Sequence, residues 1–194
     1  AGSRAERRPA RRRPMHTPLP LRVFHISEGQ VVESHDWPTQ GPTTGFVWLA
    51  LNRLSLEAEL TEVQTQLQRL TGHGVMDLHV LDLLNAQLPS HFDYTSHYDL
   101  LVFRRLASRA RAAEPMAEEP PRKLRGPAIL RRIDTSPVGF VVFDRVLLTV
   151  HPSDCSVRDT YAARLLEAGA QASRVGGTKV PSQPADLMLR LINQ

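Results

Sequence analysis

Apolar residues along this chain fall into short blocks, and the spacing within each block changes from one segment to the next. Residues 21–26 predict a first strand, and residues 31–33 can pair back on it across Gly29. Residues 45–51 carry Phe46, Val47, Trp48 and Leu49 in a row, the mark of a buried strand. The period then becomes helical. Ser55 offers an N-cap, and Leu60, Val63, Leu67 and Leu70 line one face of an amphipathic helix closed by Gly72. A shorter helix is expected over residues 75–86, with Leu78, Leu81 and Leu84 on one side and Pro89 as its stop.

Residues 98–106 predict a strong strand ending in Arg104-Arg105. Residues 107–126 are rich in Ala, Glu, Pro and Arg without an apolar face, and read as a loop between strands. Further strands are expected over 128–133 and 138–143, and Asp144-Arg145 turns the chain into a strand over 146–150. Asp154 can cap a helix that ends near Ala168 and Gly169, and residues 171–179 form a polar loop. Ser182-Gln183-Pro184 opens a last helix with Leu187, Met188, Leu191 and Ile192 on its apolar side. That pattern reaches Gln194 with no stop signal, as in a helix cut short. Strands and helices do not alternate strictly. The expected fold class is therefore α/β of the mixed kind: a mixed parallel and antiparallel sheet with helices on both faces, an αβα sandwich.

Composition changes this picture little. With 41% hydrophobic and 23% charged residues, the 194-residue chain suits one globular domain. No segment approaches the ~18–20 apolar residues that span a bilayer, so the chain as given is expected to be soluble and to form no pore. A pI of about 9.8 suggests a polyanion partner. Yet six arginines between Arg4 and Arg13, opposed by Glu6, carry +5, against +4 for the whole chain, which leaves the rest at −1. The basic balance thus belongs to residues 1–17, read as a disordered tail with Met15 as a plausible natural start, and the folded domain to residues 18–194. No apolar run follows the arginines, so the tail is no signal peptide. The one cysteine, Cys155, excludes an internal disulfide and points to a reducing compartment and a structural thiol.

Phosphate loops, GxSxG and HExxH are absent. Two clusters carry metal-binding side chains: Asp77, His79 and Asp82 on the second helix, and His91, Asp93, His97 and Asp99 beyond it. Carboxylates suit Mg²⁺, and imidazoles suit Zn²⁺, Co²⁺ or Ni²⁺. His91 and Asp93 alternate as along an extended chain, which would bring them to one side. A solvated or hydrogen-bonded role competes with metal binding for each histidine.

The order of these elements resembles the cytosolic part of CorA-type divalent metal-ion transporters, the group that includes ZntB. Phe46-Val47-Trp48-Leu49-Ala50-Leu51 is similar to the family's Trp-Ile-Asp-Leu strand, with Ala50 in place of an acidic or polar residue. Leu78-His79-Val80-Leu81-Asp82-Leu83-Leu84 resembles "HPLxxEDxL", and Gln87-Leu88-Pro89 the Gln-Arg-Pro after it. Tyr98-Asp99-Leu100-Leu101-Val102-Phe103 resembles the strand that follows. Val146-Leu147-Leu148-Thr149-Val150-His151 is similar to the hairpin end "LxTxH", and the segment from Pro184 to Asn193 to "ADLLYxLLD" at the start of the stalk helix.

The resemblance implies a regulatory, metal-sensing cytosolic domain rather than an enzyme, on the cytoplasmic face of the inner membrane. The intact protein would be a homopentamer transporting magnesium or cobalt, or zinc, with its membrane helices beyond Gln194. It implies Mg²⁺ as the first candidate ligand, with Co²⁺ or Zn²⁺ as others, and no nucleic acid as partner. Asp82 matches the family's acidic residue at an inter-subunit regulatory metal site. Two alternatives stand beside this: a soluble metal-dependent hydrolase built on the His/Asp clusters, and a nucleic-acid-binding module acting through the arginine tail.

Overall fold

The β-favouring blocks join into one seven-stranded sheet in the order β2-β1-β3-β7-β6-β5-β4. The computed structural model describes residues 21–106, 135–152, 155–171 and 180–194. The arginine tail, the boundary at residue 17, the excursion over 107–126, the strand over 128–133, the Asp154 cap and most of the loop over 171–179 lie outside the described residues.

β1 (Arg22–Ser27) pairs antiparallel with β2 (Gln30–Ser34) and with β3 (Phe46–Asn52). At the other end, β4 (His91–Tyr94), β5 (Asp99–Leu106), β6 (Thr135–Val142) and β7 (Val146–His151) form an antiparallel series. A parallel ladder joins the halves, with Val47 opposite Val146 and Asn52 opposite His151. The sheet is therefore mixed, as the irregular alternation of elements indicates.

Alternation along β3 builds two cores. Val47, Leu49 and Leu51 pack with Leu56 of α1 (Arg53–Ala58), Val63, Leu67 and Leu70 of α2 (Leu60–Thr71), and Val80 and Leu83 of α3 (Asp77–Leu84). Phe46, Trp48 and Ala50 pack with Tyr161, Ala162 and Leu165 of α4 (Ser156–Gln171) and Leu187 and Leu191 of α5 (Pro184–Ile192). Helices thus cover both faces. No helix among the described residues is long and apolar enough to cross a membrane.

Local signals differ from expectation in four places. Asn52, not Ser55, caps α1: its Oδ1 accepts the Ser55 backbone N–H at 2.7 Å. The predicted single helix breaks at Glu59, whose φ of −126° leaves the helical region. Gly169 does not end α4, which runs on to Gln171; a Cβ there would lie 2.8 Å from the Val31 backbone nitrogen, so the glycine lets α4 close on β2. Finally, α3 buries His79, Val80 and Leu83, while Leu78 and Leu81 are 61% and 64% exposed. The side of α3 expected to face the core faces outward.

The orientation of α3 has a visible cause. A Cβ on Gly139 of β6 would sit 2.2 Å from Leu83 Cδ2, so the bare backbone there receives Leu83. Arg53 fixes the same end of the helix. Its Nε donates to the Leu83 carbonyl at 3.1 Å and its Nη2 to the Pro137 carbonyl at 2.7 Å. Burial, then the nearby Arg104, lowers the Arg53 pKa from its ordinary value.

Candidate functional site

Both sequence clusters meet where α3 lies over β4. In β4 the side chains alternate: His91 and Asp93 face the helix, and Phe92 and Tyr94 face away, exposed, with ring centroids 6.3 Å apart. The pairs cross over. His79 Nε2 lies 3.1 Å from Asp93 Oδ2, and His91 Nε2 lies 3.4 Å from Asp82 Oδ2.

The two pairs differ in how fully they are satisfied. His79 is buried, and its Nδ1 lies 2.8 Å from the Tyr98 hydroxyl, which accepts the Met76 backbone N–H at 2.9 Å. The hydroxyl has one proton to give, and Nδ1 is placed to accept it. His79 Nε2 is then placed to donate its proton to Asp93. The other Asp93 oxygen accepts the Tyr94 N–H at 2.7 Å. The hydrogen bond from His79, then that from Tyr94, holds the Asp93 carboxyl below the usual carboxylate range. Burial pushes the Tyr98 phenol above its ordinary value. Every polar atom of this Tyr–His–Asp chain has a partner, which is the mark of a structural clip.

Asp82 is different. It lies in the middle of α3 with its side chain 22% exposed, and among the described residues His91 is the side chain its carboxylate meets. His91 Nδ1 faces the Pro89 carbonyl at 3.3 Å. Beside Asp82, the outward face of α3 presents Leu78 and Leu81 to solvent.

The remaining candidates separate. Asp77 is exposed in the first turn of α3, and Asp99 is exposed where β5 begins. His97 stacks on His73, with ring centroids 3.5 Å apart. Among the described residues no three His, Cys, Asp or Glu side chains come together to hold a metal ion. The convergence that the hydrolase reading requires is therefore not found there.

Sequence reasoning missed a second polar chain on the opposite face of the sheet. Trp48 Nε1–H donates to Thr149 Oγ1 at 2.8 Å, and Thr149 Oγ1 lies 2.7 Å from His151 Nε2. His151 Nδ1 in turn lies 3.5 Å from Cys155 Sγ. Burial, helped by repulsion from Arg158, pushes the His151 pKa down to about 3, so its ring is neutral. Thr149 then donates to Nε2, and Nδ1–H points at the buried thiol. Alternation along β7 puts Thr149 and His151 on one face, but nothing in the sequence announces that they meet Trp48.

Similarity to known proteins follows the geometry of the sheet and its two helical layers. No protein-family profile matches the sequence, and no curated protein matches it. Solved structures do. The chain superposes on full-length CmaX with a TM-score of 0.54 at 16% identity, over 88% of this chain and 42% of that one. It superposes on the ZntB cytoplasmic domain from Vibrio parahaemolyticus RIMD 2210633 with a TM-score of 0.55 at 14% identity, over 89% of this chain and 55% of that one. For the CorA magnesium transporter from Methanocaldococcus jannaschii the TM-score is 0.54 at 12% identity, over 89% of this chain and 43% of that one.

This is a CorA-like fold. It spans 42–55% of the lengths of these neighbours. Within the CorA-like fold, α3 and β4 are the elements that bring the His/Asp clusters of the sequence together.

Proposed function

We propose that this chain is the cytosolic metal-sensing domain of a CorA-like divalent-cation transporter, with Asp82 as its contribution to a cation site between subunits. The observation that carries the reading is the setting of Asp82. It is a half-buried carboxylate beside exposed Leu78 and Leu81, on a helix face that no element among the described residues covers. Exposed apolar residues around a charge suit a surface that another chain covers. Carboxylates brought together across such a boundary repel until a cation bridges them, so a divalent ion biases the assembled state. The proposal extends to a homopentamer carrying magnesium or cobalt, or zinc, with this domain on the cytoplasmic side of the membrane.

The test uses the full-length protein. Added Mg²⁺ is expected to slow limited proteolysis of the parent and to protect Asp82→Ala less, because a ligand that favours the assembled state is lost. Equal protection of both proteins would reduce Asp82 to a solvated helix residue.

A further inference from the structure

We propose that the cavity between the sheet and the facing ends of α4 and α5 binds a small amphiphilic carboxylate, its head on Arg105 and its apolar body against Phe103, Phe140 and Leu191. The cavity lies on the opposite face of the sheet from α3 and Asp82, beside the second of the two cores, so it is independent of the cation reading. Alternation builds its floor. Phe103 and Arg105 on β5, Val138 and Phe140 on β6, and His151 on β7 come to the same side. Val157 in the first turn of α4, with Leu191 and Ile192 in the last turn of α5, forms the walls. The space is about 380 Å³. That falls within the ~300–1,000 Å³ of pockets that take small organic ligands. At ~30 Å³ for each water-sized group it holds about a dozen non-hydrogen atoms.

The polar lining has one sign of charge. Among the described residues no Asp or Glu lines the cavity, whereas Arg104, Arg105 and His151 do. Arg104 commits its Nη1 to the Ala86 and Leu88 carbonyls, at 3.1 and 3.0 Å. His151 keeps its nitrogens on Thr149 and Cys155, and burial holds its ring neutral. Arg105 is different. Its Nε is buried and meets no hydrogen-bond partner among the described residues. A buried N–H is rarely left in that state. Nε–H and a neighbouring Nη–H form the fork that a carboxylate fills with two parallel bonds. A turn of the partly open Arg105 side chain brings that fork to a ligand head in the cavity. One guanidinium matches one negative charge, which favours a monocarboxylate over a phosphate dianion. The apolar lining asks for a tail, since a bare head such as acetate would leave Phe103, Phe140 and Leu191 facing water.

The test is calorimetric titration of this chain with decanoate, a monocarboxylate of that size, beside acetate and the neutral analogue decanamide. The expected result is saturable one-to-one binding of decanoate, at least about tenfold tighter than either control, as a charge-assisted pair in an apolar cavity produces. The methyl resonances of Val138, Leu191 and Ile192 give a readout that needs no variant, and they are expected to shift as decanoate saturates. Arg105→Met keeps the length of the side chain without the fork, and is expected to weaken decanoate by at least about tenfold. Arg145→Ala, at the other end of β7 from His151, is expected to leave binding unchanged. Thermal melts confirm that both variants are folded. Equal affinity for decanoate and decanamide would overturn the proposal, as would undiminished binding by Arg105→Met, an equal loss in Arg145→Ala, or no saturable binding at all. None of these outcomes touches the Mg²⁺ protection that tests Asp82, so the two readings fail separately.

Discussion

His151 is an imidazole held neutral by its surroundings, and that has a definite pH signature. Its native pKa is about 3, whereas an unfolded histidine titrates near ~6.5. Between those values the unfolded chain binds the extra proton. The stability linked to this ring is complete above about pH 6.5 and declines as pH falls toward 3. The loss at pH 5 is about 2 kcal/mol relative to pH 7.5, at ~1.4 kcal/mol per pH unit below the unfolded value. Urea unfolding at the two pH values checks this, and His151→Gln is expected to flatten the difference; an unchanged slope would refute it. Asp93 acts in another window. Its carboxyl is depressed by His79, so its contribution is present above about pH 4 and lost below. Tyr98→Phe removes the hydroxyl that joins Met76 N–H to His79. Leaving those groups without a partner is expected to lower stability by about 1–3 kcal/mol in the same urea assay. A change below ~0.5 kcal/mol would mean that water replaces the hydroxyl.

Among the elements, α4 gives the sharpest contrast between local preference and packing. A glycine inside a helix is ordinarily replaced by alanine with a gain of about 1 kcal/mol. At Gly169 the added Cβ would meet Val31 at 2.8 Å. Gly169→Ala is therefore expected to lower the melting temperature by at least ~2 °C, the scale of a 1 kcal/mol loss in a domain of this size. A rise would show that α4 can move off β2 without penalty. The same contrast explains what was legible beforehand. β3 and α2 were clear, because β3 is an unbroken β-favouring apolar run and α2 has one period and one apolar face. α3 was not, because Leu78, Val80, Leu81, Leu83 and Leu84 surround it and no period selects a side. The selection comes from Gly139 and Arg53, distant in sequence. Of the candidate site, the alternation of His91 and Asp93 was legible. Their crossing with His79 and Asp82 was not, since it depends on where α3 lands. Tyr98 was read only as the start of a strand, and its hydroxyl gave no signal.

For the whole molecule, the exposed Leu78 and Leu81 ask for a partner, yet the surface around them is one short helix. The chain by itself is expected to be monomeric or weakly associated in light scattering at micromolar concentration. A tight pentamer formed by this chain alone would overturn that. The sheet has a further consequence. Its two halves are each antiparallel and join through the β3–β7 ladder, whose partners are about a hundred residues apart, as with Val47 and Val146. Closing such a separation loses loop entropy before any contact repays it. The local pairings β1–β2 and β6–β7 can form early, whereas the seam between halves must wait for both. Refolding should therefore be limited by that seam. Val47→Ala and Leu148→Ala, which weaken it, are expected to slow refolding while leaving the early hairpins intact, and a chevron analysis in which only the unfolding rate rises would refute this.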